Sequence, residues 1–484
     1  MKFAICKPIN KMLKLYLMKK GQLKNSKLYF NFYLFAKLIF IIVCGFFFCN
    51  CFAQSTKLKQ PNIVFLLVDD MGYAECGFNG GKEIKTPKID QLAKDGAVLE
   101  NNYVQPVCSP TRACLLTGRY PTHTGIYGVI WPGAAWGLPL NERTLPEALK
   151  AAGYYTAITG KWHLGDFDKA YQPNARGFDY QYGHFFGNLD YFTHIRNNQL
   201  DWYRNGQTLE EAGYTTHLIA KEACKIIETS NRSKPLFLYV PFNGIHSPYQ
   251  VPDNYLKPYS NLTGDRQKLA GMLAAVDEAI GKIVAALVKA GLRENTLIVF
   301  SSDNGAPPPG NNSPLRDFKA TVYEGGIRGA AFVNWPGRVA AGLRVTEAMH
   351  TVDWYPTLIQ LAGGSIKQTL PIDGKNVWPM ITKKTKSPHD AILSVSTKGP
   401  MLAAIRMGDW KLIVLNTDSV TAKKKSNIKY EPIALFNLLD DASETENLAK
   451  QFPDRVLAMR KRLIEMLKDA VPSGAIGKNE SESE

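Results

Sequence analysis

Four apolar, β-rich runs, each ending at a polar cluster, constrain this chain more than any other feature. They are Asn62 to Val68, Tyr154 to Thr159, Pro235 to Val240 and Thr296 to Ser301. Short runs without polar alternation predict strands buried on both faces, as in a parallel sheet. Helically spaced patterns separate them: Leu145 to Ala152, Tyr214 to Thr229 and Lys268 to Ala290. The predicted class is therefore α/β, a large domain whose mostly parallel central sheet is flanked by helices.

In such sheets ligands gather at the carboxyl ends of the strands. The clusters that follow the four runs are Asp69 with Asp70, Lys161 with His163, His246, and Asp303 with Asn304. Segments far apart in sequence thus deliver acids, bases and an amide to one rim. After about Lys384 the pattern changes to short strand-like runs (AILSVS, LAAIRMGDWKLIVL, ALFNL) and a last helical stretch, Asp454 to Lys468. The expected organisation is a leader in 1–53, a main α/β domain in 58–384, a small antiparallel-sheet subdomain with a terminal helix in 385–472, and a frayed polar tail in 473–484.

With 484 residues, 45% of them hydrophobic, the chain can bury a large core. The formal charge of +15 misleads, because residues 1–53 hold nine lysines and no acid, and an excess of six remains for the rest. That excess suits an anionic substrate and does not demand nucleic acid. In the leader, lysines precede an apolar run from Leu38 to Cys49 and then the small residue Ala53. The order fits an export signal cleaved near Ala53, and twelve apolar residues fall short of the roughly twenty that a membrane span needs. Beyond the leader only Cys76, Cys108, Cys114 and Cys224 remain, so the chain is not a disulfide scaffold.

The most specific segment is Cys108-Ser109-Pro110-Thr111-Arg112, continuing to Leu116-Thr117-Gly118-Arg119. It resembles the sulfatase signature, in which Cys, Pro and Arg alternate ahead of a Leu-Thr-Gly run. Alone, Cys108 would read as a buried thiol before a helix. The resemblance extends through PNIVFLLVDDMG, GKWHLG, NGIHSPYQVP, VFSSDNG and VYEGGIRG, and its nearest subgroup is the arylsulfatase B, or N-acetylgalactosamine-4-sulfatase, type. It implies an alkaline-phosphatase-like fold and an exported hydrolase of sulfate esters, acting on a sulfated carbohydrate. It also implies a maturation enzyme that converts Cys108 to formylglycine, whose hydrate offers one hydroxyl to attack sulfur and another to expel sulfate.

The same resemblance assigns Asp69, Asp70, Asp303, Asn304 and residue 108 to a metal. An all-oxygen shell selects a hard cation, Ca²⁺ by resemblance with Mg²⁺ left open. Taken alone, Asp-Asp and Asp-Asn-Gly are also good turn and cap chemistry. Arg112 would stabilise the attacking alkoxide, and Lys161 and Lys319 would bind the sulfate oxygens. His246 would protonate the leaving alcohol, with Lys319 as a second candidate for that role, and His163 would deprotonate the remaining hydroxyl. Trp131, Trp136, His184, Tyr191, His194 and Arg196 are weaker candidates for sugar contact, since most aromatics in a large protein are core. Two other readings stay open: a phosphodiesterase or phosphonate hydrolase of the same superfamily, and an inactive sulfated-glycan binding protein.

Overall fold

A computed structural model describes residues 60–397, 399–416 and 430–474. The expected leader in 1–53 lies outside the described residues, as do positions 475–484 of the tail. Ser473 and Gly474 are described, and the Gly474 amide donates to the Gly125 carbonyl at 3.0 Å.

Strand β1 (Asn62–Val68) begins a ten-stranded sheet. The others in chain order are β2 (Ala97–Leu99), β3 (Tyr155–Lys161), β4 (Tyr180–His184), β5 (Tyr203–Arg204) and β6 (Gln207–Thr208). They continue with β7 (Leu236–Pro241), β8 (Thr296–Ser302), β9 (Ala331–Asn334) and β10 (Leu343–Val345). Their spatial order is β10-β2-β9-β8-β1-β7-β3-β4-β5-β6. The centre, β8-β1-β7-β3-β4, is parallel throughout. Antiparallel pairs appear outside it, β8 with β9, β9 with β2, β4 with β5 and β5 with β6, so the sheet is mixed.

Alternation along β1 divides the core. Val64, Leu66 and Val68 face a cluster shared with α1 (Pro87–Lys94), and Ile63, Phe65 and Leu67 face one shared with α2 (Cys108–Thr117) and α3 (Leu145–Ala151). The first face is completed by α4 (Thr215–Thr229) and α5 (Gly264–Lys289), the second by α6 (Trp354–Leu361). Each face therefore buries every second strand residue, which is why these runs carry no polar alternation.

Four more strands, β11 (Ile392–Ser396), β12 (Gly399–Met407), β13 (Trp410–Asn416) and β14 (Tyr430–Asn437), form an antiparallel sheet in that order. One face packs on α7 (Pro453–Leu467) through Met459 and Leu463. The other face, with Ala404, Ile413, Ala434 and Phe436, packs on Val322 of the main body. Among the described residues no helix is long and apolar enough to cross a membrane.

One close approach governs the strand ends beside the site. Gly160 has φ +131°, and a Cβ there would lie 2.0 Å from the Pro241 carbonyl oxygen. Gly160→Ala is expected to destabilise the fold by about 1–3 kcal/mol, combining backbone strain with a clash against a neighbouring strand. A denaturant midpoint unchanged from the parent would contradict this.

Candidate active site

The site is built by register. Val68 of β1 pairs with Ser302 of β8, so the next residues, Asp69 and Asp303, leave the sheet side by side. The Asp70 amide donates to Asp303 Oδ1 at 3.2 Å, and Asn304 Nδ2 donates to Asp70 Oδ1 at 2.7 Å. Lys161 ends β3, and its ammonium bonds Asp69 Oδ2. Arg112, one turn into α2, donates to Asp303 Oδ2 at 2.8 Å, lies 3.4 Å from Asp69 Oδ2 and reaches the Lys161 carbonyl at 3.0 Å. Lys319 donates to Asp70 Oδ2 at 2.8 Å, and His246 Nε2 lies 3.5 Å from the same oxygen.

Cys108 opens α2, with its Sγ 3.3 Å from His163 Nδ1. His163 Nε2 lies 3.0 Å from the Ile130 carbonyl, an acceptor only, so Nε2 carries the hydrogen and the Nδ1 lone pair faces residue 108. The structure thus brings all ten predicted residues into one cluster: Asp69, Asp70, Cys108, Arg112, Lys161, His163, His246, Asp303, Asn304 and Lys319.

Burial and mutual charge set the protonation states. Burial pushes the Asp69 carboxyl up, but Lys161, His246, Arg112 and Lys319 together outweigh it and hold Asp69 well below the usual range. Burial and the charge of Asp69 raise Asp303 to about 7, against the pull of Arg112 and Lys161. Burial, with Lys161 and Arg112, drives His163 well below its ordinary value, so the ring is a neutral base. Burial also lowers His246, although Asp70 and Asp69 pull the other way. Burial opposes the charge on Lys319, yet Asp70 and the neighbouring acids raise its pKa, and it remains a standing cation.

The donors present fit a hard cation. Asp69, Asp70 and His246 each bring a ligating atom to within 4.8 Å of the others. Buried Asp69 Oδ1 and Asn304 Oδ1 have no hydrogen-bond partner, which leaves two oxygen acceptors open in a cluster of carboxylates.

Several weaker candidates turn out to be architectural. The Tyr191 hydroxyl meets the Asn243 carbonyl at 2.6 Å and the His246 carbonyl at 2.7 Å, bracing the loop that carries His246. His194 stacks on Trp202 and His184 is fully buried beside Asp201, so none of these three is open to a sugar. Trp131 is 53% exposed and remains a candidate, with Trp136 and Arg196 partly buried. Sequence reasoning missed the Ile130 carbonyl, which no side-chain pattern can announce, and an ion network around Glu444, in a segment that reads as ordinary polar loop.

An α/β body that gathers three acids, three cations, two histidines and a helix-opening cysteine at its strand ends defines a hydrolase of anionic esters with the alkaline-phosphatase-like fold. Residues 61–365 match the Sulfatase family model, and the chain belongs to that family; it is a sulfuric ester hydrolase. It is 37% identical over 466 residues to arylsulfatase J of Mus musculus, covering 87% of this chain and 78% of that protein. It is 33% identical over 383 residues to N-acetylgalactosamine-6-sulfatase of Mus musculus, covering 73% and 72%. The crystal structure of Ps i-CgsB in complex with k-i-k-neocarrahexaose superposes with a TM-score of 0.80 at 33% identity, covering 88% of this chain and 96% of that one.

Proposed function

We propose that this chain is an exported glycan sulfatase that removes 4-O-sulfate from galactose or N-acetylgalactosamine units, using formylglycine at position 108 and a calcium ion. The observation that carries the reading is the convergence of Cys108, His163, Arg112, Lys161, Lys319 and His246 on the oxygen-rich acid cluster. The likeness to a sulfatase solved with a neocarrahexaose, and to N-acetylgalactosamine-6-sulfatase, supports a sulfated galactan or galactosaminoglycan as the substrate class. The lysine-rich leader supports export, and the intact signature supports a maturation enzyme as partner.

A divalent cation held by Asp69, Asp70, Asp303 and Asn304, with residue 108, would supply positive charge to the sulfate oxygens. Formylglycine hydrate at 108 would supply the nucleophile and the second hydroxyl that lets sulfate leave. The remaining work belongs to the chain's own groups. Lys161 and Arg112 offer fixed positive charge where the transferring group becomes more anionic. His163, neutral and aimed at residue 108, accepts a hydroxyl proton at Nδ1. Lys319 and His246 both face Asp70 Oδ2; Lys319, a standing cation, donates to the bridging ester oxygen as the alcohol leaves, and His246, whose Nδ1 lies 2.6 Å from the Ser247 carbonyl, donates from Nε2 only in its protonated form.

The test compares 4-O-sulfated galactose and N-acetylgalactosamine oligosaccharides with 6-O-sulfated and glucosamine counterparts, and with phosphate diesters, using enzyme co-expressed with a maturation enzyme. The 4-O-sulfated galactose-configured sugars are expected to give the highest kcat/KM. Exclusive cleavage of 6-O- or N-sulfate would overturn the positional claim, and preferential cleavage of phosphate diesters would overturn the substrate class.

A further inference from the structure

The loop that delivers Lys319 is tied at both ends to a single residue of the small C-terminal sheet layer. Arg316, three residues before Lys319, donates from Nη1 to the Glu444 carbonyl at 2.8 Å. Glu324, five residues after it, donates its amide to Glu444 Oε2 at 2.6 Å. Fully buried Lys411 of β13 lies 2.7 Å from Glu444 Oε1 and donates to Glu324 Oε1 at 2.9 Å. Tyr103 donates to Glu324 Oε2 at 2.8 Å, and Val322 packs against Ile413 and Phe436.

Between the ties the loop closes on itself. The Gly325 amide donates to the Arg316 carbonyl at 2.7 Å, and a Cβ on Gly325 would lie 2.3 Å from the Asp317 carbonyl oxygen. Its tip meets the main body where the Ala320 amide donates to the Pro106 carbonyl at 2.8 Å, two residues before Cys108. Glu444 itself holds φ +53°, a conformation that costs a non-glycine residue energy and persists where its surroundings impose it.

We propose that Glu444 is a positioning residue which fixes Lys319 at the leaving-group side of the site, so that the C-terminal sheet takes part in catalysis through this staple. The inference rests on the role given to Lys319 above. Alanine at 444 leaves Lys411 paired with Glu324, so no buried cation is stranded. What it removes is the acceptor for the Glu324 amide, and with it one of the two ties.

The experiment is a double-mutant cycle between Glu444→Ala and Lys319→Ala in converted full-length enzyme, assayed with aryl sulfates whose leaving phenols span a range of acidity. Glu444→Ala is expected to lower kcat about 10- to 100-fold for poor leaving groups and much less for good ones, as a misplaced catalytic group does. Glu444→Gln, which keeps one acceptor for the Glu324 amide but turns a donor toward Lys411, should recover part of it. On the Lys319→Ala background Glu444→Ala should add little, because both act through one group. Arg316→Ala, at an exposed position, cuts the other tie, and a stacking contact with Tyr323, without removing a buried side chain, and should give the same leaving-group signature even if Glu444→Ala folds poorly. Equal losses for all leaving groups, or losses that multiply in full with Lys319→Ala, would overturn the proposal. If Lys319→Ala is impaired while Glu444→Ala and Arg316→Ala match the parent, the staple alone falls. A fully active Lys319→Ala removes the role of Lys319 and the staple together.

Discussion

Cys108→Ala is expected to lower kcat by roughly 10⁴-fold or more, the scale seen when a nucleophile is removed while the binding groups stay in place. Nothing else in the cluster can replace it, since Sγ of residue 108 is the atom facing His163 Nδ1 at 3.3 Å. The fold should survive, because alanine is a good helix residue and Cys108 only opens α2. Peptide mass spectrometry of the active parent should show the sulfur of residue 108 replaced by an aldehyde oxygen. Activity in Cys108→Ala close to the parent's would eliminate the mechanism.

Metal removal should have the next largest effect. With the cation chelated, Asp69, Asp70 and Asp303 are left with Lys161, Lys319 and Arg112, the groups needed to bind sulfate. Those cations are then engaged by carboxylates rather than substrate. Chelation is expected to reduce activity at least about 100-fold, and added Ca²⁺ to restore it better than Mg²⁺, which demands a smaller octahedral shell. Asp303→Asn keeps the shape of the side chain and should reproduce the loss with little change in melting temperature. Full activity in protein whose metal analysis shows no bound cation would refute the assignment.

The strand that matters most was legible to the residue: β1 runs Asn62–Val68 as its apolar run does, because both of its faces are covered. The other three parallel strands agree to within two residues at either end, and each overshoot falls on the polar side where the site begins. The antiparallel margins were not legible. Strands β5 and β6 have two residues each, too few for any periodicity to register. Helix α5 starts at Gly264, earlier than its apolar pattern, because the polar residues Asp265, Arg266 and Gln267 fill its first turn and carry no apolar periodicity.

Of the site, the residues on strand ends and in the cysteine signature could be placed because the fold makes those positions special. The bracing role of Tyr191 and the staple at Glu444 could not. Each depends on a partner far along the chain, such as Glu324 for Glu444, 120 positions away. No local pattern encodes such a pairing.

Residue 108 is 1% exposed, and all ten residues of its helix are buried. A modifying enzyme must hold the segment it works on in its own cleft, and this segment is packed into the core on one face of the sheet. If residue 108 is converted as proposed, conversion would belong to the lifetime of the nascent or unfolded chain, and folding would set a deadline for it. Molecules that fold before conversion would be trapped with a plain thiol, well folded and inert. In a preparation, the active fraction would then be decided by a race during synthesis, which stability measurements on the finished protein would not reveal.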